Sequence, residues 1–224
     1  MIEYVLIDLD GTLLDFDKGE KEAFIDTIKS MSNYIPNDTD CMKYSELNEY
    51  YFNEYSKGNM TRDEFHFKRF DEINKHLKLN LNIMDLDRYY VNSLKYQAEV
   101  FDDVIETLEY LKDKYKLYIA SNGMNEIQIK RLEKANIINY FENVYVSEKI
   151  GFNKPQLGFF EYVINDINDF DKSKYIIVGD RLDSDILGGN NFGIKTILLD
   201  RKNKLKSSDS TFYIKNLYEL KKIL

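Results

Sequence analysis

The chain has 224 residues, with 31 Lys and Arg against 39 Asp and Glu, a formal net charge of −8. A hydrophobic content of 43% with 14% aromatics excludes wholesale disorder. The acidic balance argues against a nucleic-acid polymer or an anionic membrane as partner, though a small anionic substrate remains compatible with it.

The opening run MIEYVLIDLDGT has no basic stretch before its apolar residues, and Asp8 interrupts them. Residues 3–9 therefore read as a strand, not as a signal peptide or membrane span. From 16 to 97 the chain offers helical periodicity only: Phe24, Ile28 and Met31; Leu47, Tyr50, Tyr51 and Tyr55; Phe70, Ile73 and Leu77; Leu86, Tyr90 and Leu94. Thr61 with Glu64 three residues later is a capping box for the third of these helices, and residues 34–41 read as a turn. Beyond 98, short apolar runs at 116–121, 143–147, 174–180 and 195–200 alternate with helical stripes. The stripes are Val104, Leu108 and Leu111; Ile129, Leu132 and Ala135; and Phe159, Phe160, Val163, Ile164 and Ile167. Residues 211–215 add a short edge strand. Strands apolar at consecutive positions need burial on both faces, which a central parallel sheet supplies. The expected fold is α/β: a Rossmann-like, doubly wound parallel sheet formed by 1–15 and 98–224, with a helical-bundle cap inserted at 16–97. One cysteine, Cys41, allows no internal disulfide and suits a reducing compartment, so a cytoplasmic protein is expected.

Acidic residues gather where the strands end. Asp8 and Asp10, two apart on an extended segment, point the same way, and Gly11 lets the chain turn sharply after them. An ordinary Asp-Gly turn with incidental acids fits the same residues. The run Ile176-Ile177-Val178-Gly179-Asp180 ends in acid as well, followed by Asp183 and Asp185. Ligands of open α/β sheets bind beyond the carboxyl ends of the strands, so Asp8, Asp10 and Asp180 would converge there, with Asp185 behind them. Such a cluster needs a cation, and oxygen ligands with no His or Cys nearby select Mg²⁺ over Zn²⁺. Asp183 reads as a helix cap. Ser121, Asn122 and Gly123 close another strand; a hydroxyl and exposed amides there suit phosphate oxygens, as they suit a common turn. Lys154, before Pro155, would supply the fixed positive charge that a carboxylate cluster receiving a phosphate dianion requires.

Taken in order, Asp8-Leu9-Asp10-Gly11-Thr12, Ser121, Lys154-Pro155, and Gly179-Asp180 with Asp185 resemble the four motifs of the haloacid dehalogenase superfamily. Residues 16–97 sit where that superfamily places its first-type cap. The resemblance implies Asp8 as nucleophile, forming an aspartyl-phosphate, and Asp10 as general acid and then base. It implies Mg²⁺ held by the Asp8 carboxylate, the Asp10 main-chain carbonyl and Asp180. Ser121 and the Asn122 main chain would bind phosphoryl oxygens, Lys154 would stabilise the charge, and Asp185 would orient Lys154 or a water on the metal. Dehalogenases expel halide and lack an acid at the position of Asp10, so its presence favours phosphoryl transfer; phosphomutases share the pair.

The run at 57–64 with Arg69-Phe70, together with 147–155 and 184–190, is similar to the pyrimidine 5′-nucleotidase branch. The expectation is a Mg²⁺-dependent phosphomonoesterase, monomeric or weakly dimeric, acting on a small phosphorylated metabolite, with nucleoside 5′-monophosphates first. The alternatives are a sugar-phosphate or phosphoglycolate phosphatase, a β-phosphoglucomutase-like isomerase, and a non-catalytic metabolite-binding regulator. Other residues read as structural. His66 lies at the cap boundary, His76 on the surface, and Arg69 in a surface salt bridge. Most cap tyrosines belong to the core, Leu217, Leu220 and Leu224 form a docking helix, and 202–208 is a polar loop.

Overall fold

The apolar stripes of residues 16–97 pack against one another as four helices: α1 (Phe16–Met31), α2 (Asp38–Ser56), α3 (Arg62–Leu77) and α4 (Ile83–Leu94). The computed structural model describes residues 1–203 and 209–224, so the polar loop expected at 202–208 lies, from 204 on, outside the described residues. Two compact units emerge, one of residues 1–15 and 98–224, the other of 16–97. The heart of the second unit is aromatic. Phe24 stacks on Tyr44 with ring centroids 4.4 Å apart, and Phe70 and Tyr90 close the cluster around Tyr44. Thr61 caps α3 through the expected box with Glu64. The turn falls earlier than 34–41, because Asn37 caps α2 and carries Cys41 into the helix.

Two side-chain expectations for this unit fail. Tyr50 and Tyr89 are exposed, since each precedes a buried tyrosine, Tyr51 or Tyr90, by a single residue and so faces another way. Arg69 is buried rather than at the surface. It donates to Asn48 at 2.7 Å and to Asp87 at 2.9 Å, and its guanidinium lies over the rings of Phe65, Phe70 and Tyr90.

In the first unit, helices α5 (Val104–Leu111), α6 (Asn125–Lys134), α7 (Ser147–Ile150), α8 (Leu157–Ile167) and α9 (Leu187–Phe192) flank a six-stranded sheet. Its strands are β1 (Tyr4–Ile7), β2 (Lys116–Ser121), β3 (Asn143–Val146), β4 (Tyr175–Gly179), β5 (Lys195–Leu199) and β6 (Phe212–Ile214), in the order β3-β2-β1-β4-β5-β6. All neighbours pair in parallel; Val5 stands beside Leu117 on one flank and Ile176 on the other. Period-two alternation divides each strand between two cores. Val5, Ile7, Ile119, Ile176 and Val178 pack with Val104, Leu108 and Leu111 of α5 and with Leu217 and Leu220 of the C-terminal turn. Tyr4, Leu6, Ala120 and Ile177 pack with Phe159, Phe160, Val163 and Ile164 of α8.

From β1 the sheet grows one way through β2 and β3 and the other way through β4, β5 and β6, which makes the carboxyl ends of β1 and β4 its switch point. Just past that point Leu14 bridges Val100 in antiparallel fashion, and the Asp15 amide donates to the Glu99 carbonyl at 2.9 Å. The chain thus leaves and re-enters the sheet unit through one paired ribbon. Among the described residues no helix is long and apolar enough to cross a membrane.

Candidate active site

Asp8 begins where β1 ends, its amide bonded to the Val178 carbonyl of β4 at 2.9 Å, which fixes the carboxylate between the two strands. Gly11 then turns with φ +83°, and a Cβ at that position would stand 2.4 Å from Asp180 Oδ2. Only glycine lets the turn close over the second acid. Thr12 Oγ1 donates to Asp180 Oδ1 at 3.4 Å, while Arg201, itself paired with Asp103 at 2.8 Å, holds the Thr12 carbonyl at 2.8 Å.

Lys154 is the hub. Its side chain is 1% exposed, and Nζ donates to Asp8 Oδ1 at 2.8 Å, to Asp185 Oδ1 at 2.6 Å and to the Ala120 carbonyl at the end of β2. All three ammonium protons have acceptors, so a buried charge is tolerated. Burial opposes that charge, but Asp185 and Asp8 outweigh it and push the Lys154 pKa above its ordinary value. Asp185 also accepts from the Arg181 amide at 3.2 Å, so its two oxygens anchor Lys154 and the turn after β4. Asp183 does not cap a helix; it pairs with Arg181 at 3.0 Å.

Asp8, Asp180 and Asp185 bring carboxylate oxygens within 4.8 Å of one another. Burial, helped by the charges of Asp185 and Asp180 against the opposing pull of Lys154, raises the Asp8 pKa well above the usual carboxylate range. Burial and the Asp185 charge lift Asp180 to about 7, against the opposing pull of Arg181 and Lys154. Three carboxylates against one ammonium leave the cluster short of positive charge. An all-oxygen donor set of that charge suits a hard divalent cation such as Mg²⁺.

The Asp10 carboxylate stands outside that cluster and is held by α6. Its Oδ1 accepts from Arg131 and its Oδ2 from Gln128 Nε2 at 2.6 Å, both on α6. Gln128 Nε2 reaches Ser121 Oγ as well, at 2.9 Å. The Asn122 side chain is a strut: Nδ2 donates to the Lys154 carbonyl and Oδ1 accepts from the Lys154 amide, both at 2.8 Å. Asp8, Lys154, Asp180 and Asp185 thus stand together, Ser121 and Asn122 flank them, and Asp10 joins them through α6. Gln128 and Arg131 escaped the sequence reading. The stripe of Ile129, Leu132 and Ala135 put the inward face of α6 one position off, whereas the buried residues are Ile127, Gln128, Arg131 and Leu132. Two polar residues spaced i, i+3 on the helix that follows Ser121-Asn122-Gly123 were the available signal.

Residues 5–199 match the model of the haloacid dehalogenase-like hydrolase family. YfnB of Bacillus subtilis, named a HAD-hydrolase, is 31% identical over 98% of this chain and 94% of its own. Its magnesium-bound crystal structure, for which interdomain movement is described, superposes with a TM-score of 0.93 at 29% identity, covering 100% of this chain and 98% of that one. The pyrimidine 5′-nucleotidase PynA of Streptococcus pneumoniae is 32% identical over 87% of this chain and 82% of its own. YjjG of Escherichia coli, also a pyrimidine 5′-nucleotidase, is 26% identical over 99% and 97%.

Proposed function

Because the chain belongs to the haloacid dehalogenase-like hydrolase family, we propose that it is a Mg²⁺-dependent phosphomonoesterase of nucleoside 5′-monophosphates, pyrimidine ones first. The observation that carries this reading is the buried Asp8–Lys154–Asp185 arrangement beside Asp180, with a second acid at Asp10. The substrate class rests on the resemblance to PynA and YjjG. Residues 1–15 and 98–224 would be the catalytic unit, and 16–97 the cap that selects the leaving group.

The Asp8 carboxylate attacks phosphorus in line while the bond to the leaving oxygen breaks, giving an aspartyl-phosphate. Asp10 delivers its proton to that oxygen, and the nucleoside departs. Now a carboxylate, Asp10 takes a proton from the water that attacks phosphorus; the bond to Asp8 breaks and inorganic phosphate leaves. Lys154, fixed by Asp185 and the Ala120 carbonyl, keeps a positive charge against the phosphorylated Asp8. Ser121 and the Asn122 main chain hold phosphoryl oxygens. Asp8, Asp180 and the Asp10 main-chain carbonyl would hold Mg²⁺, which would supply positive charge to offset the repulsion between the Asp8 carboxylate and a phosphoryl dianion.

The test is phosphate release from pyrimidine and purine monophosphates, sugar phosphates and phosphoglycolate, with Mg²⁺ and with chelator. Chelator-sensitive release led by pyrimidine nucleotides is expected. Preference for another ester would remove the substrate assignment and keep the chemistry; silence toward every ester would remove both.

A further inference from the structure

We propose that Gln128 and Arg131 of α6 are positioning residues that tie the Asp10 carboxylate and the Ser121 hydroxyl into one unit, so that phosphate binding and leaving-group protonation are aligned by the same pair. The inference rests on the phosphomonoesterase reading and extends it to residues outside the four motifs.

The hydrogen-bond directions are dictated by chemistry. A guanidinium can only donate, and Arg131 Nη1 donates both to Asp10 Oδ1 and to Gln128 Oε1, the latter at 3.1 Å. That fixes the Gln128 carbonyl toward Arg131 and turns Nε2 the other way. The two Nε2 protons then go to Asp10 Oδ2 at 2.6 Å and to Ser121 Oγ at 2.9 Å. Ser121 Oγ accepts a second bond, from the Gly123 amide at 3.1 Å. A hydroxyl has two lone pairs, so both of its acceptor places are taken and its proton is what it has left to give. The acceptor this arrangement suits is an anionic oxygen, such as one on a phosphoryl group.

Burial makes the arrangement rigid. Arg131 is fully buried and Gln128 and Ser121 nearly so, while Asp10 keeps a partly open carboxylate. The loop between β2 and α6 is shaped for the amide as well. A Cβ on Gly123 would stand 2.3 Å from Gln128 Nε2, so that glycine is what lets the side chain lie across the loop and reach both partners. On a helix, i and i+3 share a face, and the network needs both residues on the face turned to the strand ends. Asp10, Ser121, Gln128 and Arg131 are therefore one connected polar assembly, in which displacing a single member misplaces the rest.

General acid catalysis supplies a readout that loss of fold does not imitate. A nucleoside alkoxide is a poor leaving group and needs Asp10, whereas p-nitrophenolate leaves almost unaided. Wild type, Gln128→Leu, Arg131→Met and Arg131→Lys should be compared by kcat/KM on a nucleoside 5′-monophosphate and on p-nitrophenyl phosphate. Gln128→Leu and Arg131→Met should lose about tenfold or more beyond their loss on the aryl ester, with Arg131→Lys recovering part of the difference. Equal losses on both esters, or none, would overturn the positioning role.

Calorimetric binding of inorganic phosphate in Mg²⁺ tests the Ser121 arm without turnover. Gln128→Leu and Ser121→Ala should each weaken binding, and the double variant no more than the stronger single. Additive losses would overturn the coupling. Should wild type hydrolyse no ester while this cycle shows coupling, the enzymatic reading would fall and the Gln128–Ser121 link would stand.

Discussion

Lys154 sits among three acceptors with no route to solvent, and its loss and that of Asp8 should therefore differ in kind. Asp8→Asn keeps the shape and removes the attacking anion; turnover should vanish in a phosphate-release assay while the thermal melt stays cooperative. Lys154→Met strands Asp8 and Asp185 in the interior, and breaking a buried ion pair costs about 3–5 kcal/mol. Urea denaturation should register that loss; unchanged stability would mean the cluster is better solvated than its burial implies. Asp8 and Asp180 were legible from sequence because acids and a glycine stopped apolar runs at strand ends, and Lys154 because such a cluster calls for a positive charge. Gln128 and Arg131 were not, since a polar residue on a helix ordinarily reads as part of its solvent face. Arg69 misled for the same reason: nothing local announces that an arginine will be roofed by three rings.

Among the elements, the strands read cleanly because both faces of the sheet are covered, so their apolar runs have no polar gaps. The helices of 16–97 showed their period but not which tyrosines turned inward, because two neighbouring tyrosines lie about 100° apart around the axis. Tyr44, absent from the expected stripes, proves to be the ring that three others surround. Phe24 carries one side of that cluster and is fully buried. Phe24→Ala should cost about 3–5 kcal/mol, read as a lowered urea midpoint. A cost below about 1 kcal/mol would mean that the bundle collapses into the vacated space.

For the molecule as a whole, the carboxylate cluster couples stability to pH. Asp180 titrates at about 7 in the fold, and Asp8 is raised as well, against about 3.9 for an unfolded aspartate. The folded protein therefore holds protons that the unfolded chain has released. The stability these groups lend is complete below about pH 4 and is lost as pH rises through about 7. A divalent cation competes with those same protons. The Mg²⁺-induced rise in Tm should accordingly be larger at about pH 8 than at about pH 6, by differential scanning fluorimetry. A rise independent of pH would place the cation away from Asp8 and Asp180. The ribbon that pairs Leu14 with Val100 brings the two ends of residues 16–97 together. Closing a chain between two fixed points costs little more when the intervening segment lengthens, so the length of 16–97 weighs little on the sheet that it interrupts. An insertion or deletion within 16–97 should therefore leave β1 paired with β2 and β4 in the same register.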